Sequence, residues 1–356
     1  MKQEFRNTFS SNIKLTLGMG VNLLKDFPKS SKALFKILSH QNKAEKIRDH
    51  HLKDGIYVPP LLIISTTNQC NLECKGCYSA GCRSSQQDLK REQIDKLYEE
   101  AVATGCSAIL LAGGEPLLAP DFLHSLGDHP ELLGLVFTNG TLFDTEWLIW
   151  FQEHRNILPL FSIEGDEEST DNRRGEGVSA QIYIAMKLMQ EAQIPFGVSI
   201  TTGSHNYTEV TKQPFKNSLI DLGCRLFVHV EYVPVDDNDQ LFVLTQDQKT
   251  SLAKYCEEQT STTKAITICF PGDEEPYGGC LAAGRGFAHI SASGSLEPCP
   301  FASYSDRNIC DMSLLDALRS PLLNEIRNNS DKLHEGVGGC ALRQQGEWLQ
   351  GLMGNK

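Results

Sequence analysis

Short apolar segments alternate with helical segments over the middle of this 356-residue chain, and this alternation constrains the fold more than any other feature. The first segment is LLIIS at Leu61, and the sixth, RLFVHVEYV, ends at Val233. Strands that recur roughly every 25 to 45 residues with helices between them are typical of a parallel sheet covered on its faces. We therefore predict an α/β fold, a partial (βα)6 TIM-like barrel, with its active site at the carboxyl ends of the strands.

Two further regions flank this predicted barrel. Residues 1–57 have apolar positions at helical spacing and are predicted to form an N-terminal helical segment that packs on the core, while residues 58–264 form the barrel. Residues 265–356 are rich in Gly, Pro and Cys. Within them, FAHISASGSLEP is predicted to form a hairpin, followed by a helix near 314–328.

Composition limits where the protein acts and what it binds. The formal net charge is −12, which disfavours nucleic acid as a partner because such binding depends on basic side chains. The N-terminus lacks the features of a signal peptide, and no segment has the length of a spanning helix, so we expect a cytoplasmic protein without a membrane anchor. Twelve cysteines in a reducing compartment favour metal binding or redox chemistry over disulfides.

Three of these cysteines stand close together in CNLECKGCY, just after the first predicted strand. Cys70, Cys74 and Cys77 span eight residues, so their thiolates can converge on one metal or cluster. Iron–sulfur clusters are usually held by four cysteines, and three would leave one iron open to another ligand. Zinc binding and unliganded thiols are the alternatives at this point.

The cysteine triplet and the motifs that follow the next strands resemble the radical S-adenosylmethionine (SAM) enzymes. In that family an aromatic residue follows C-x3-C-x2-C, as Tyr78 does here, and a GGEP motif follows the second strand. The resemblance continues with TNGT after the third strand, SIEG at the end of the fourth, and DNRRG just beyond. It covers roughly residues 60–235.

The resemblance implies roles for the matching residues. Cys70, Cys74 and Cys77 would hold a [4Fe–4S] cluster, and the amino and carboxylate groups of SAM would chelate its fourth iron. The implied cofactor-binding residues are Tyr78, Gly113, Gly114, Glu115, Pro116, Asn139, Ser162, Glu164 and Arg173, with Arg174 as the alternative partner of the SAM carboxylate. Reductive cleavage of SAM would then yield methionine and a 5′-deoxyadenosyl radical that abstracts hydrogen from the substrate.

The C-terminal cysteines resemble the SPASM or twitch extension of many such enzymes. Cys280 and Cys299 flank the predicted hairpin, and Cys340 follows in GVGGCALRQQGEW. By this resemblance the three would hold one auxiliary [4Fe–4S] cluster, with Cys310 as a possible fourth ligand and Cys269 as a weaker one. The alternative is that these residues are structural thiols.

The substrate is less constrained than the chemistry. We expect a radical SAM enzyme, supplied with electrons by a flavodoxin or ferredoxin, that modifies a peptide or protein. A small cofactor or metabolite precursor is the second hypothesis, and an iron–sulfur electron-transfer or scaffold protein is the third. The candidate acid/base residues are His229, Glu231 and Asp236, whose alternative role is a hydrogen-bonded rim of the barrel.

Overall fold

The described residues form one ten-stranded sheet. The computed structural model describes residues 25–82, 88–235, 237–270, 279–334 and 340–354. The strands are β1 (Leu61–Ser65), β2 (Ala108–Ala112), β3 (Leu133–Thr138), β4 (Ile157–Ile163), β5 (Phe196–Thr202), β6 (Cys224–Glu231), β7 (Ile266–Phe270), β8 (Phe287–Ile290), β9 (Ser295–Glu297) and β10 (Arg307–Asn308). Their order in the sheet is β10-β9-β8-β1-β2-β3-β4-β5-β6-β7, and all pairs from β8 to β7 are parallel.

Helices between the strands cover the outer face of this sheet. They are α1 (Ser31–Lys53), α2 (Arg91–Thr104), α3 (Pro120–Gly127), α4 (Thr145–Glu153), α5 (Glu167–Arg174), α6 (Val178–Glu191), α7 (Tyr207–Val210), α8 (Gln213–Asp221), α9 (Gln246–Thr262), α10 (Leu314–Ala317), α11 (Pro321–Asn328), α12 (Ala341–Gln344) and α13 (Gly346–Gly354). In α2, Ile94, Leu97, Tyr98 and Ala101 recur at helical spacing and are all buried. Among the described residues, no helix is long and apolar enough to cross a lipid bilayer.

The predicted α/β fold class is confirmed, and the parallel sheet is larger than the six strands that the sequence pattern indicated. At one edge, β7 adds to β6, with His229 opposite Cys269. At the other edge, the predicted hairpin is present as β8 and β9, and β8 pairs in parallel with β1. The C-terminal module therefore continues the barrel sheet through backbone hydrogen bonds. The boundaries proposed at residues 57 and 264 remain predictions.

The predicted N-terminal helical segment contains the long helix α1, which packs against the end of α2. The His40 Nε2 atom lies 2.9 Å from the carbonyl oxygen of Cys106, and Arg48 donates a hydrogen bond of 2.5 Å to the carbonyl of Gly105. Both acceptors lie in the turn between α2 and β2, where the backbone carbonyls have no strand partner. The helix thus satisfies polar groups at the amino-terminal end of the barrel, away from the strand ends that carry the motifs.

A chain of three polar side chains fastens the hairpin to the centre of the sheet. His289 of β8 has its Nδ1 atom 2.8 Å from Glu297 of β9 and its Nε2 atom 2.8 Å from the hydroxyl of Ser65, the last residue of β1. His289 and Glu297 are buried. Because buried polar groups are costly unless they are hydrogen-bonded, each member of this chain depends on the others.

We predict that His289→Ala destabilises the fold. The change leaves Glu297 buried with its imidazole partner removed, and we expect the free energy of unfolding to fall by about 1–3 kcal/mol. Urea denaturation followed by circular dichroism measures this. His50→Ala, at an exposed position of α1, is the matched control and should change stability by less than about 0.5 kcal/mol. Equal stability of the two variants would contradict the assigned role.

Candidate functional site

The carboxyl ends of the parallel strands surround a cavity of about 260 Å³. Each strand from β1 to β7 contributes to its wall, because alternate side chains of a strand point to the same face of the sheet. The loops after β1 and β2, the end of α5 and the segment Pro300–Phe301 complete it. The motifs singled out in the sequence therefore surround one space, at the edge where ligands bind in parallel α/β folds.

The first cysteine triplet lies on the loop after β1, residues 66–79, which we call the cysteine loop. Cys70, Cys74 and Cys77 all line the cavity and are half-buried. Burial raises the pKa of Cys74, Arg174 and Arg173 act against that rise, and Cys77 and Cys70 add to it. The three thiols are thus close enough to affect each other, and two guanidinium groups lie beside them.

The donor set of this loop fits an iron–sulfur cube. In a [4Fe–4S] cluster each cysteine binds a different iron, so the thiols surround a volume instead of converging on one ion. Asn139, from the loop after β3, reaches the triplet and donates from Nδ2 to the Cys70 sulfur at 3.9 Å.

The two glycines of the GGEP motif let their loop lie directly on the cysteine loop. Gly113 has φ of +107°, a value that favours glycine, and a Cβ on Gly114 would sit 1.8 Å from the carbonyl oxygen of Gln69. Backbone hydrogen bonds join the two loops, from Gly114 N to Thr67 O at 2.8 Å and from Glu115 N to Gln69 O at 2.9 Å. Any larger residue at Gly114 must push the loops apart.

The carboxylate of Glu115 is used inside the protein. It is buried and accepts hydrogen bonds from the backbone of Leu117 (3.0 Å), the hydroxyl of Thr138 (2.7 Å) and the backbone of Asn139 (2.8 Å). Burial raises the pKa of Glu115, and these hydrogen bonds act in the opposite direction. Its side chain therefore ties the loop after β2 to the end of β3, and Pro116 is buried behind it.

A second buried carboxylate, Glu164 at the end of β4, holds both arginines of the DNRRG motif. Its Oε1 atom accepts from Arg173 at 2.5 Å and from Arg174 at 2.8 Å, whereas its buried Oε2 atom has no hydrogen-bond partner in the structure. Burial lowers the pKa of Arg173, but Glu164 outweighs it, so the pKa of this guanidinium is raised overall. Two cations on one carboxylate leave an excess positive charge at the cavity wall, which suits an anionic ligand.

Arg173 also connects α5 to the cysteine loop. Its Nε atom donates to the carbonyl of Lys75 at 3.1 Å, while the backbone N–H of Lys75 donates to the carbonyl of Arg173 at 3.0 Å. The predicted cofactor residue Ser162 lies nearby on the cavity wall, with its hydroxyl 2.9 Å from that of Ser199 on β5. Ser199 and Thr201 also line the cavity and were not predicted, although hydroxyl residues inside the apolar strand FGVSIT were a usable signal.

The structure brings together three C-terminal cysteines. Cys280, Cys299 and Cys340 are all buried. Burial raises the pKa of Cys299 well above its ordinary value, and the neighbouring thiols of Cys340 and Cys280 raise it further. Cys310 is exposed and lies by Ser293, with its sulfur 3.8 Å from that carbonyl oxygen. The proposed fourth ligand is therefore not placed with the other three.

Tyr78 and Phe301 join the two cysteine groups across the cavity wall. Phe301 follows Cys299 by two residues, and its ring centroid lies 4.7 Å from that of Tyr78, which follows Cys77 directly. Both rings line the cavity. Phe301 was missed in the sequence, because only the tertiary fold shows that the hairpin pairs beside β1.

The two candidate acid/base residues that the structure describes, His229 and Glu231, are both bound to partners inside the protein. His229 lies on the helix-facing side of β6, fully buried, with Nδ1 2.9 Å from the Thr202 hydroxyl. Glu231 borders the cavity, but its carboxylate pairs with Lys249 of α9 at 3.1 Å. The cavity is lined instead by Val228 and Val230, which alternate with these residues. Asp236 lies outside the described residues.

Cys269, the weaker candidate for a fourth ligand, belongs to the same outer layer. It is buried, and its sulfur lies 3.8 Å from Glu231 Oε1, on the helix-facing side of β7. It is therefore placed with α9 and not with Cys280, Cys299 and Cys340.

Gly114→Ala is predicted to disrupt the loop contact. Since the new Cβ would overlap the Gln69 carbonyl, we expect unfolding free energy to fall by about 3 kcal/mol and SAM binding to weaken. Thermal unfolding and equilibrium dialysis with SAM measure the two effects. Gly351→Ala is the control, because nothing lies within 4 Å of the Cβ it adds. Unchanged stability of Gly114→Ala would show that the loops separate freely.

Stability should also depend on pH through His229. Burial lowers its pKa from 6.5 to about 3, with Lys216 adding to the shift, so the folded state holds this imidazole neutral. The stability that depends on a neutral His229 is complete above pH 6.5. It is lost as the pH falls toward 3, by about 1.4 kcal/mol per pH unit, because the unfolded state binds the proton and the folded state does not. Urea denaturation at pH 7 and pH 5 should show wild type losing about 2 kcal/mol more than His229→Gln. Equal losses of stability in wild type and in His229→Gln would contradict the assignment of this pH dependence to His229.

Comparisons with known proteins agree with the geometry. Residues 64–213 match the Radical SAM superfamily. An AdoMet-dependent heme synthase of Methanosarcina barkeri is 26% identical over 278 residues, covering 70% of this chain and 79% of that protein. The sporulation killing factor maturation protein SkfB of Bacillus subtilis is 29% identical over 158 residues, covering 44% of this chain but 38% of that protein. The crystal structure of Streptococcus suis SuiB bound to S-adenosylmethionine has a TM-score of 0.65 at 18% identity, covering 84% of this chain and 77% of SuiB.

Proposed function

The chain carries a radical SAM domain over residues 64–213 and is an enzyme of that superfamily, and on this premise we propose that it modifies a peptide or protein by hydrogen abstraction. The observation that carries the proposal is the single cavity in which the three cysteines, the GGEP loop and the arginine pair meet. An electron-transfer or scaffold protein needs the cysteines but has no need of a GGEP loop and an arginine pair beside them.

The residues of the cavity fit the two ligands of this chemistry. Cys70, Cys74 and Cys77 would hold the [4Fe–4S] cluster, and the excess charge of Arg173 and Arg174 would receive the SAM carboxylate. When bound, these groups supply the electron that cleaves SAM and the 5′-deoxyadenosyl radical that abstracts hydrogen. The Ser162 hydroxyl lines the cavity and is a further polar contact, while the buried Glu164 holds the arginine pair.

The protein itself positions and shields these ligands. Gly113 and Gly114 let the GGEP loop lie against the cysteine loop, and the buried Glu115 keeps that loop in place. Tyr78 and Phe301 cover the cavity on the side of the C-terminal module. Exclusion of water in this way protects a reactive intermediate from side reactions.

We also propose one auxiliary iron–sulfur cluster on Cys280, Cys299 and Cys340. Cys340 and Cys280 lie close enough to the buried Cys299 to raise its pKa, so the three thiols are neighbours, and a metal cluster would bind them in the deprotonated form. Arg285 donates to the carbonyls of Gly279 (3.1 Å) and Cys280 (2.6 Å), and so fixes the chain at the first ligand. We propose a flavodoxin or ferredoxin as the electron donor and the cytoplasm as the location.

Peptide and small-molecule substrates each have an observation in their favour. The relation to SkfB, named as a maturation protein, supports a peptide. The heme synthase match covers more of both chains and supports a tetrapyrrole or a similar cofactor precursor as the second candidate. We keep the peptide as the first candidate because a peptide needs to insert only one side chain into the cavity beside SAM.

The radical chemistry is tested with protein reconstituted anaerobically with iron and sulfide. Reductant and SAM should yield 5′-deoxyadenosine, and Cys74→Ala should abolish it because one ligand of the cluster is lost. Chromatography of the quenched reaction measures the product. If the protein holds about four or more irons per chain yet forms no 5′-deoxyadenosine, the proposed radical chemistry is refuted.

The auxiliary cluster is tested by counting iron. Wild type should bind about eight irons per chain, and Cys340→Ala about four, while it still cleaves SAM. Cys310→Ala is the matched control, since its exposed thiol lies apart from the other three, and it should keep the wild-type iron content. Wild-type protein with only about four irons would refute the auxiliary cluster.

A further inference from the structure

The cavity has two chemically different walls. On the side of β4 and β5 it carries hydroxyl groups, the arginine pair and Asn139. On the side of β6 and β7 the apolar residues Val230, Val233, Ile268, Phe270 and Phe301 form what we call the apolar compartment, with Glu231 and Tyr232 lining the same side. The polar wall contains the residues already proposed to contact SAM. The apolar compartment has no role in that proposal.

Strand alternation keeps charged groups out of the apolar compartment. On β6, Val228 and Val230 face the cavity, whereas His229 faces the helices. On β7, Ile268 and Phe270 face the cavity, and Thr267 faces Lys216 of α8. The titratable side chains of these two strands are thus bound to partners in the outer layer or, for Glu231 at the rim, to Lys249.

The compartment lines a space that its own side chains do not fill. Val230, Ile268, Phe270 and Phe301 are half-buried, whereas apolar residues of the outer layer, such as Leu252 of α9, are fully buried. Two of its side chains are held by ring contacts. The ring centroids are 5.1 Å apart for Phe270 and Phe287, and 4.7 Å apart for Phe301 and Tyr78. A preformed apolar wall favours an apolar group and disfavours a charged one, which would be buried without a partner.

We propose that the apolar compartment receives the reacting group of the substrate, and that this group is an uncharged aliphatic or aromatic side chain of a peptide. The inference rests on the proposed function for the identity of the neighbouring SAM site. The half-buried side chains of Val230, Ile268, Phe270 and Phe301 offer such a group an apolar contact surface beside the polar wall. A group bearing carboxylates would lie against the hydrocarbon of these five side chains, on the same side of the cavity as the Glu231 carboxylate.

The test measures binding directly, without turnover. The full-length protein, reconstituted with iron and sulfide and saturated with SAM but without reductant, is titrated with 4-fluorotoluene and with its charged counterpart 4-fluorobenzoate, and fluorine NMR reports binding. Saturation with SAM keeps the carboxylate of 4-fluorobenzoate from binding to Arg173 and Arg174. Wild type should bind the toluene at least about tenfold more tightly. Ile268→Lys should reverse the order. Ile184→Lys is the matched control, because Ile184 is exposed on α6 outside the cavity, and it should bind as wild type does.

A second variant separates binding from folding. Ile268→Phe adds no charge, but its ring occupies the compartment, so it should also weaken binding of 4-fluorotoluene about tenfold. The proposal is overturned if wild type binds 4-fluorobenzoate as tightly as 4-fluorotoluene, or if Ile268→Phe binds the latter unchanged. Absence of 5′-deoxyadenosine together with the expected binding pattern would refute the proposed function alone. Normal 5′-deoxyadenosine formation without that pattern would refute the compartment alone.

Discussion

The parallel pairing of consecutive strands is the constraint on which the site depends. Because β1 to β7 run in one direction, the loops that follow them open at the same edge of the sheet. Because side chains alternate along each strand, every second residue faces the cavity and the others face the helices. Segments far apart in the chain, such as Cys70 and Ser199, therefore line one cavity.

Two buried carboxylates then determine how the loops at that edge are held. Glu115 joins the loop after β2 to the end of β3, and Glu164 joins the end of β4 to the arginines of α5. Each carboxylate is buried, where an unpaired charge is costly, so its hydrogen bonds are hard to give up. The glutamates of two sequence motifs thus act first as structural connections. The ligand site is formed by the backbone and the cations that they position.

What the sequence could predict followed from local pattern. The cysteine loop, GGEP and the hairpin are short motifs, and local chemistry was enough to place them at strand ends. The convergence of Cys280, Cys299 and Cys340 was predicted from a resemblance, and the structure brings these thiols together. The prediction for Cys310 came from availability alone, and nothing in its neighbourhood in the sequence indicated that it stays exposed beside Ser293.

The positions that could not be predicted from the sequence depend on non-local contacts. In RLFVHVEYV the period of two already puts His229 on the same face as Phe227, but which face points inward depends on the helices. The seventh strand and the pairing of β8 with β1 were missed for the same reason. Neither strand can be placed without its partner, and the partner of β8 lies more than 200 residues earlier, since Ile63 pairs with His289.

The pairing of β8 with β1 also makes the C-terminal module part of the cavity wall. Glu297 is connected through His289 to Ser65, at the end of the strand that leads into the cysteine loop. Two residues beyond Glu297, Cys299 begins the short segment whose Phe301 contacts Tyr78. Phe301 lines the cavity, so the C-terminal module shapes the space beside the cysteine loop through the backbone that connects it to β9.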